Sequence, residues 1–322
     1  MIIVPMSDTT VDVGPGGSLR LSDWGVIRAR GAEAAQFLHG QLTQDIANLG
    51  AGQVRLAGYC SPKGRLLGTL LVWSPGHEEL LLACSADVLP ALLKRLSMFV
   101  LRAKCRLSDA SAEFAIHGLC GPVASSWLGD GAPPAAWACR VAGSVHVIRL
   151  PDAAGTPRYL LLQPADASAP ELPELSADAW AALEVLSAVP RVTTATVEQF
   201  VPQMINLDLV GGVHFQKGCY PGQEIVARSQ YRGTLKRRAR LFACDVPLRP
   251  GQEIYHDADP QQPAGMVVLA APVRSGPAPA RHVALVEVKL AALEDGQLHA
   301  GAIDAPALQP LAMPYAVPLE PG

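Results

Sequence analysis

The strongest constraint on the fold is a pair of apolar runs that water would not tolerate. Leu66-Leu67-Gly68-Thr69-Leu70-Leu71-Val72-Trp73 and Glu79-Leu80-Leu81-Leu82-Ala83-Cys84 have strand length and nearly continuous hydrophobic character, so both read as buried strands. Ser74-Pro75-Gly76-His77 between them supplies turn chemistry, and the two runs are predicted to form a hairpin. Helical periods flank this pair. Ala34, Phe37, Leu38 and Leu42 recur near helical spacing between Gly31 and Asn48, and Leu89, Leu92, Leu93 and Leu96 fall on one face of a second helix.

A second hairpin is predicted from Val145–Leu150 and Arg158–Leu162 across Pro151-Asp152-Ala153-Ala154-Gly155. The stretch 163–173, rich in Pro, Ala and Asp, reads as a surface connection. A helix capped by Ser176 follows, with Trp180, Leu183 and Leu186 turned inward. After Arg240 short apolar runs are separated by Pro and Gly, which predicts a small all-β unit to the C-terminus. Helices and strands mixed in this way make the fold class α+β, and 322 residues exceed what one core usually organises, so two or three domains are expected.

Charge and cysteine usage exclude several classes. A net charge of −3 gives no global attraction to nucleic acid or anionic membrane, so polyanion binding has to come from a local patch. The apolar neighbourhood Leu80 to Leu101 is broken by Asp87, Lys94 and Arg95, and the N-terminal residues lack a basic region ahead of an apolar one; a cytoplasmic protein without a membrane partner is expected. Seven cysteines (60, 84, 105, 120, 139, 219 and 244), without a C-x-x-C pair, suit reduced thiols better than a disulfide framework or a local metal or cluster ligand set.

The chemistry concentrates between Glu198 and Arg228, a window dense in Gly, amide and charged side chains. Gly218 and Gly222 bracket Cys219-Tyr220-Pro221, so the backbone can turn sharply there and Pro221 stiffens the turn. A helix beginning near Gln223-Glu224 would point free N–H groups at Cys219, and with the adjacent Lys217 would stabilise a thiolate. The alternative is a small buried core cysteine, and the spacing leaves both open. Arg228, Arg232, Lys236, Arg237, Arg238 and Arg240 form a basic run that could hold a carboxylate or phosphate, or could be a solvated rim. Tyr220 and Tyr231 are candidates for stacking on a flat heterocycle, or ordinary core residues.

Lys217-Gly218-Cys219-Tyr220-Pro221-Gly222-Gln223-Glu224 closely resembles the K-G-C-[FY]-x-G-Q-E signature of the YgfZ family, folate-binding relatives of the glycine-cleavage T-protein (aminomethyltransferase). The resemblance continues upstream through Phe200-Val201-Pro202-Gln203 and Asn206-Leu207-Asp208, and downstream through Ala227-Arg228 and Arg232-Gly233. Nearer the N-terminus, Phe37-Leu38-His39-Gly40-Gln41-Leu42-Thr43-Gln44-Asp45 is similar to the T-protein family's F-L-x-x-x-L-T-x-D helix, and Pro62-Lys63-Gly64-Arg65-Leu66-Leu67 to the strand entry after it. It implies a three-domain, T-protein-like ring around a folate cleft, closed by a C-terminal β-barrel, with units over 1–110, 111–235 and 236–322. It also implies tetrahydrofolate or a related reduced folate as cofactor, and a role in making or repairing iron–sulfur clusters of client enzymes, hence a link to tRNA modification. Cys219 would be the signature thiol with Lys217 beside it. Gln203, Asn206, Tyr220, Gln223, Glu224, Arg228 and Arg232 would be the folate contacts, with no resident metal.

Two departures refine the expectation. The transferases place an aspartate on the strand after the Gly64-type glycine, where this chain has Gly68 and Thr69; neither is a carboxylate, so aminomethyl transfer is not expected and whether the protein is an enzyme stays open. The family's L-R-x-E-A-G-x-P reads Leu183-Glu184-Val185-Leu186-Ser187-Ala188-Val189-Pro190 here, so Leu186 replaces an acid expected near the pterin. Glu184 lies about 200° around a helix from it and is set aside as a substitute. The competing readings are a tetrahydrofolate-dependent one-carbon transferase and, weaker in an acidic chain, a module binding tRNA directly.

Overall fold

A computed structural model describes residues 14–76, 78–231, 235–273 and 281–318. The chain opens with β1 (Gly17–Arg20), β2 (Trp24–Arg30), α1 (Ala34–His39), β3 (Val54–Cys60), β4 (Leu66–Gly76), β5 (Glu79–Ser85), α2 (Leu89–Met98) and β6 (Arg106–Asp109). It continues through β7 (Phe114–Cys120), α3 (Gly121–Leu128), β8 (Cys139–Ala142), β9 (Val145–Ala153), β10 (Thr156–Pro164), α4 (Ala177–Leu186) and α5 (Gln223–Tyr231). The last stretch is β11 (Arg237–Cys244), β12 (Glu253–His256), β13 (Asp259–Val273), β14 (Arg281–Lys289), β15 (Leu298–Ala300) and β16 (Gln309–Leu311).

Three antiparallel sheets result, ordered β3-β4-β5-β2-β6, β1-β7-β10-β9-β8 and β15-β12-β13-β14-β11-β16. Both predicted hairpins are present, with Val72 opposite Leu82 in the first and Leu160 opposite Ile148 in the second. The first sheet is buried on both faces. Leu70, Val72, Leu80 and Leu82 face α1 and α2, while Leu71, Trp73, Leu81 and Ala83 face a core shared with the other two sheets and α4. Alternation along a strand produces this division.

Some expectations change in detail. The first helix stops at His39 instead of running through the expected window, because the next residues join β3. Thr43 takes the Gly58 N–H on its Oγ1 (2.7 Å), donates to Gly212 O (2.6 Å), and bonds Gly58 O through its own N–H (2.9 Å). Ser176 caps α4 as expected, accepting from Ala179 N (3.1 Å). Trp180 and Leu183 are buried, whereas Leu186, on the last turn, is only half-buried. Trp180 lies so close to Gly118 that a Cβ there would fall 2.7 Å from the indole, so only glycine lets the ring seat against β7. The C-terminal unit is all-β, but it is a curled half-barrel and not a closed barrel: β15 and β16 end the ladder without pairing. The register shift in β13 between Val267 and Leu269 is the kind of bulge that bends a strand.

The third sheet is fastened to the rest by polar groups inside the core. Arg238 on β11 makes a bidentate pair with Asp208 (2.7 and 3.0 Å), each side chain 5% exposed, and donates again to Gln203 O (3.0 Å). Removing one partner of a buried pair costs far more than the pair contributes, since the other charge stays desolvated. Asp208→Ala is therefore expected to cost about 3–5 kcal/mol in urea unfolding. A loss under about 1 kcal/mol would mean that Arg238 finds water when its partner goes.

Candidate functional site

The signature loop is built on two glycines. Gly222 has φ +78°, and a Cβ there would meet Ser61 O at 2.4 Å and the Gly64 Cα at 2.6 Å. Gly64, at φ +70°, is equally closed, its Cβ position lying 2.8 Å from the Ile225 Cβ. The β3–β4 turn and the start of α5 thus pack backbone to backbone, and larger residues would hold them apart.

Cys219 emerges from this junction as an exposed thiol, which removes the buried-core alternative. Cys60, Cys84 and Cys139 are buried, and burial pushes their thiols up to about 12, so they stay protonated at neutral pH. Three backbone amides at the start of α5 have partners inside the loop. Tyr220 O accepts from Gln223 N (3.2 Å), and Gly222 O from Ile225 N (3.1 Å) and Val226 N (3.3 Å).

Lys217 mainly ties the loop to the segment after α1. Its Nζ donates to His39 O (2.5 Å), Leu42 O (3.0 Å) and Gly218 O (3.3 Å), and lies 4.8 Å from the Tyr220 ring centroid. Burial lowers its pKa to about 8, with the negative charge of Asp45 and of an ionised Cys219 acting in the opposite sense.

The expected folate contacts scatter. Gln203 and Asn206 are fully buried and hold the framework: Gln203 Nε2 donates to Val226 O (2.8 Å), and Asn206 Nδ2 to Ala239 O (2.9 Å). Tyr220, offered as a stacking platform, is a core residue at 7% exposure. Gln223 begins α5, half-buried, and Glu224 and Arg228 pair with each other on its outer surface (2.9 Å). Arg232 lies outside the described residues. Among the described residues of the basic run, Arg237 is bound to Glu287, Arg238 to Asp208 and Arg228 to Glu224, so these three do not form one anion-binding face. Among the described residues no cluster of three or more His, Cys, Asp or Glu could hold a metal.

A different set of residues makes a cleft at the centre of the molecule. A narrow space of about 40 Å³ lies between the first two sheets and the end of α4, walled by Leu56, Leu71 and Leu150, with Trp24 and Trp137 beside them. Thr69, Arg158, Glu184 and Arg191 supply its polar groups. Trp137, Pro151, Ser187 and Val189 also line a wider opening of about 560 Å³ that includes Arg149, Leu209 and Tyr315, so the cleft continues to the surface.

The charges in the cleft are restrained. Arg158 is 2% exposed, spends Nε and Nη2 on Pro151 O (3.1 and 2.9 Å), and burial lowers its pKa to about 10. Burial lifts the Glu184 carboxyl above its usual range, and Arg191, whose Nη2 lies 3.2 Å from Oε2, partly offsets this. Arg191 also reaches Asp23 (2.7 Å) and covers the Trp24 ring at 5.0 Å. Glu184 Oε1 has no described partner within the protein, which leaves a carboxylate oxygen for a ligand's N–H. Thr69 has no such freedom, because its Oγ1 accepts from Val192 N (3.0 Å). Glu184, which the sequence reading set aside, lines the cleft, and the residue at 186 does not. Trp24, Trp137, Arg158 and Arg191 were missed altogether. They lie on separate elements and share no local pattern.

No protein-family model matches the chain. It is 36% identical over 233 residues to the tRNA-modifying protein YgfZ of Edwardsiella ictaluri, covering 68% of each chain. It is 30% identical over 312 residues to the protein of the same name in Sodalis glossinidius, covering 93% of each. The chain belongs to the YgfZ family. The aminomethyltransferase T of the glycine cleavage system from Bartonella henselae has the same fold: TM-score 0.70 at 17% identity, over 94% of this chain and 87% of that one. Within this YgfZ-family fold, the signature loop and the central cleft are separate places, for no residue from Lys217 to Glu224 lines the cleft.

The buried amine of Lys217 gives a pH test. Its value of about 8 in the fold lies below the ordinary 10.5, so between those pH values the unfolded chain binds the extra proton. Stability contributed by this group is then gained as pH rises from about 8 toward 10.5, and is lacking below about 8. Acylation of Lys217, followed by peptide mass spectrometry, is expected to reach half its limiting rate near pH 8. A midpoint near 10.5 would place the amine in open solvent.

Proposed function

We propose that this YgfZ-family protein binds a reduced folate in its central cleft and serves as an accessory factor in making or repairing iron–sulfur clusters, thereby affecting tRNA modification. The relatives' name, tRNA-modifying protein, supports the link to tRNA modification, and the T-protein-like fold supports the folate half of the reading. The three-domain ring implied by the sequence resemblance belongs to the same reading.

The observation that carries the folate assignment is the pairing of apolar and aromatic walls with a single available carboxylate oxygen on Glu184. A pterin is flat and apolar on its faces, and its amino edge presents two N–H donors that one carboxylate can accept. In this assignment the side chains of the inner cleft move apart to admit the pterin, Glu184 takes its amino edge, Arg191 orients Glu184 and with Arg158 favours its ionised form against burial, and Trp24 and Trp137 flank the ring. The glutamate tail leaves through the wider mouth past Arg149. A bound folate would supply one-carbon or redox chemistry of its own; the chain's part is to bind it, orient it and keep water from it. Transfer catalysis is disfavoured because Thr69, at the transferases' acid position, is a hydroxyl committed to Val192 N. Cys219, exposed and away from the cleft, is assigned to contact with transient client enzymes.

Titration with tetrahydrofolate, read by tryptophan fluorescence, is expected to saturate. Glu184→Gln should weaken binding about tenfold or more, through loss of a charge-assisted pair, whereas Cys219→Ala should leave it unchanged. Absence of saturable binding, or a Glu184→Gln protein with unaltered affinity, would overturn the assignment.

A further inference from the structure

We propose that the turn following α2 is a peripheral docking surface for an anionic lipid bilayer. From Lys94 to Arg106 the chain carries Lys94, Arg95, Arg102, Lys104 and Arg106 and no acid, in a protein whose net charge is −3. This is a local patch of the kind that net charge conceals. α2 buries Leu89, Leu92 and Leu96, and its hydrophobic requirement ends there. Met98, Phe99 and Leu101 nevertheless stand 66%, 42% and 86% exposed. They are three of the six large hydrophobic residues exposed among the described residues, gathered within four positions of one turn.

The backbone holds this exposure in place. Leu101 has φ +42°, a region that favours glycine or asparagine in a turn, so the leucine is presented at a conformational cost. Lys94, Arg102, Lys104 and Arg106 are exposed around it, and Arg106 stands opposite Arg30 in the β2–β6 ladder. Arg95 is half-buried, with its guanidinium 5.8 Å from the Phe99 ring centroid. Glu33 reaches the patch, where its carboxylate accepts from Lys104 N (2.6 Å), and cations still outnumber it.

Charge and shape choose the occupant. A second copy would set cations against cations. A protein partner would have to cover roughly 800 Å² on each side, whereas the apolar part here is three side chains on a protruding turn. A bilayer requires no matching shape: apolar tips enter the headgroup boundary while cations meet lipid phosphates. No helix among the described residues is long and apolar enough to cross a membrane, so the attachment is peripheral. The expectation of no membrane partner rested on net charge and on the lack of a span, and a local tip escapes both arguments. The inference is independent of the folate assignment.

The test is flotation of the full chain with vesicles of phosphatidylcholine alone and with about 30% phosphatidylglycerol added. Binding is expected only to the anionic vesicles and should be released by high salt. Phe99→Ser with Leu101→Ser, and separately Lys94→Glu with Arg102→Glu, should each lower the bound fraction about tenfold at unchanged circular dichroism, since all four side chains are exposed. Equal binding to neutral vesicles, no binding, or variants that bind as well as the parent would overturn the proposal. Self-association lost in the serine variant without vesicle binding would assign the surface to a second copy, and binding to polyglutamate beads but not to vesicles would assign it to an acidic protein; either outcome also overturns it.

Discussion

The buried pair Arg238–Asp208 is the interaction on which the rest of the architecture leans. It sits where four parts of the chain meet. Arg238 brings β11 to Asp208 and to the Gln203 carbonyl, and the Gln203 amide holds α5 through Val226 O. Asn206, at φ +60°, turns its own amide to β11, and Tyr315 from the C-terminal segment closes the junction by donating to Ala188 O beyond α4. Ala188 lies between two cleft residues, Ser187 and Val189, so the node that anchors the third sheet also shapes the cleft mouth. Polar side chains inside an apolar core are tolerated because their donors are satisfied by fixed backbone carbonyls, and that requirement fixes one arrangement of the elements.

Two functional places follow from this frame, and they differ in character. The cleft is narrow, and its charged groups are held within the protein: Glu184 and Asp23 pair with Arg191, and Arg158 donates to the Pro151 carbonyl. The Cys219 loop is exposed and held from behind by the Gly64–Gly222 contact and by Lys217. The enclosed cleft and the solvent-facing thiol therefore lie on one scaffold without sharing a lining residue.

Much of the fold was legible in the sequence because it depended on local patterns. Unbroken apolar runs gave the hairpins, Ser176 gave the α4 cap, and Pro/Gly-punctuated runs gave the C-terminal sheet. The limit of α1 was not legible, because Thr43 is claimed by Gly58 and Gly212, distant in sequence. The loop motif located Cys219, but its amide and aromatic neighbours proved to be framework. Gln203 and Asn206 look like ligand contacts in sequence because buried amides and ligand-binding amides are the same residue types. The cleft was hidden for the opposite reason: Trp24, Trp137, Arg158 and Arg191 come from four separate segments and meet only in three dimensions. Glu184 was visible, but its place in the cleft was not. The space lies between sheets and takes its acid from whichever face of α4 turns toward it.

The most direct measurement is a crystal structure of the protein grown with a stable reduced folate such as 5-formyltetrahydrofolate. The expected result is a pterin beside Trp24 and Trp137, with its amino edge in hydrogen-bonding contact with Glu184 Oε1 and its tail directed past Arg149. A folate seated instead against the Cys219 loop, or a cleft whose side chains close over without it, would contradict the central assignment.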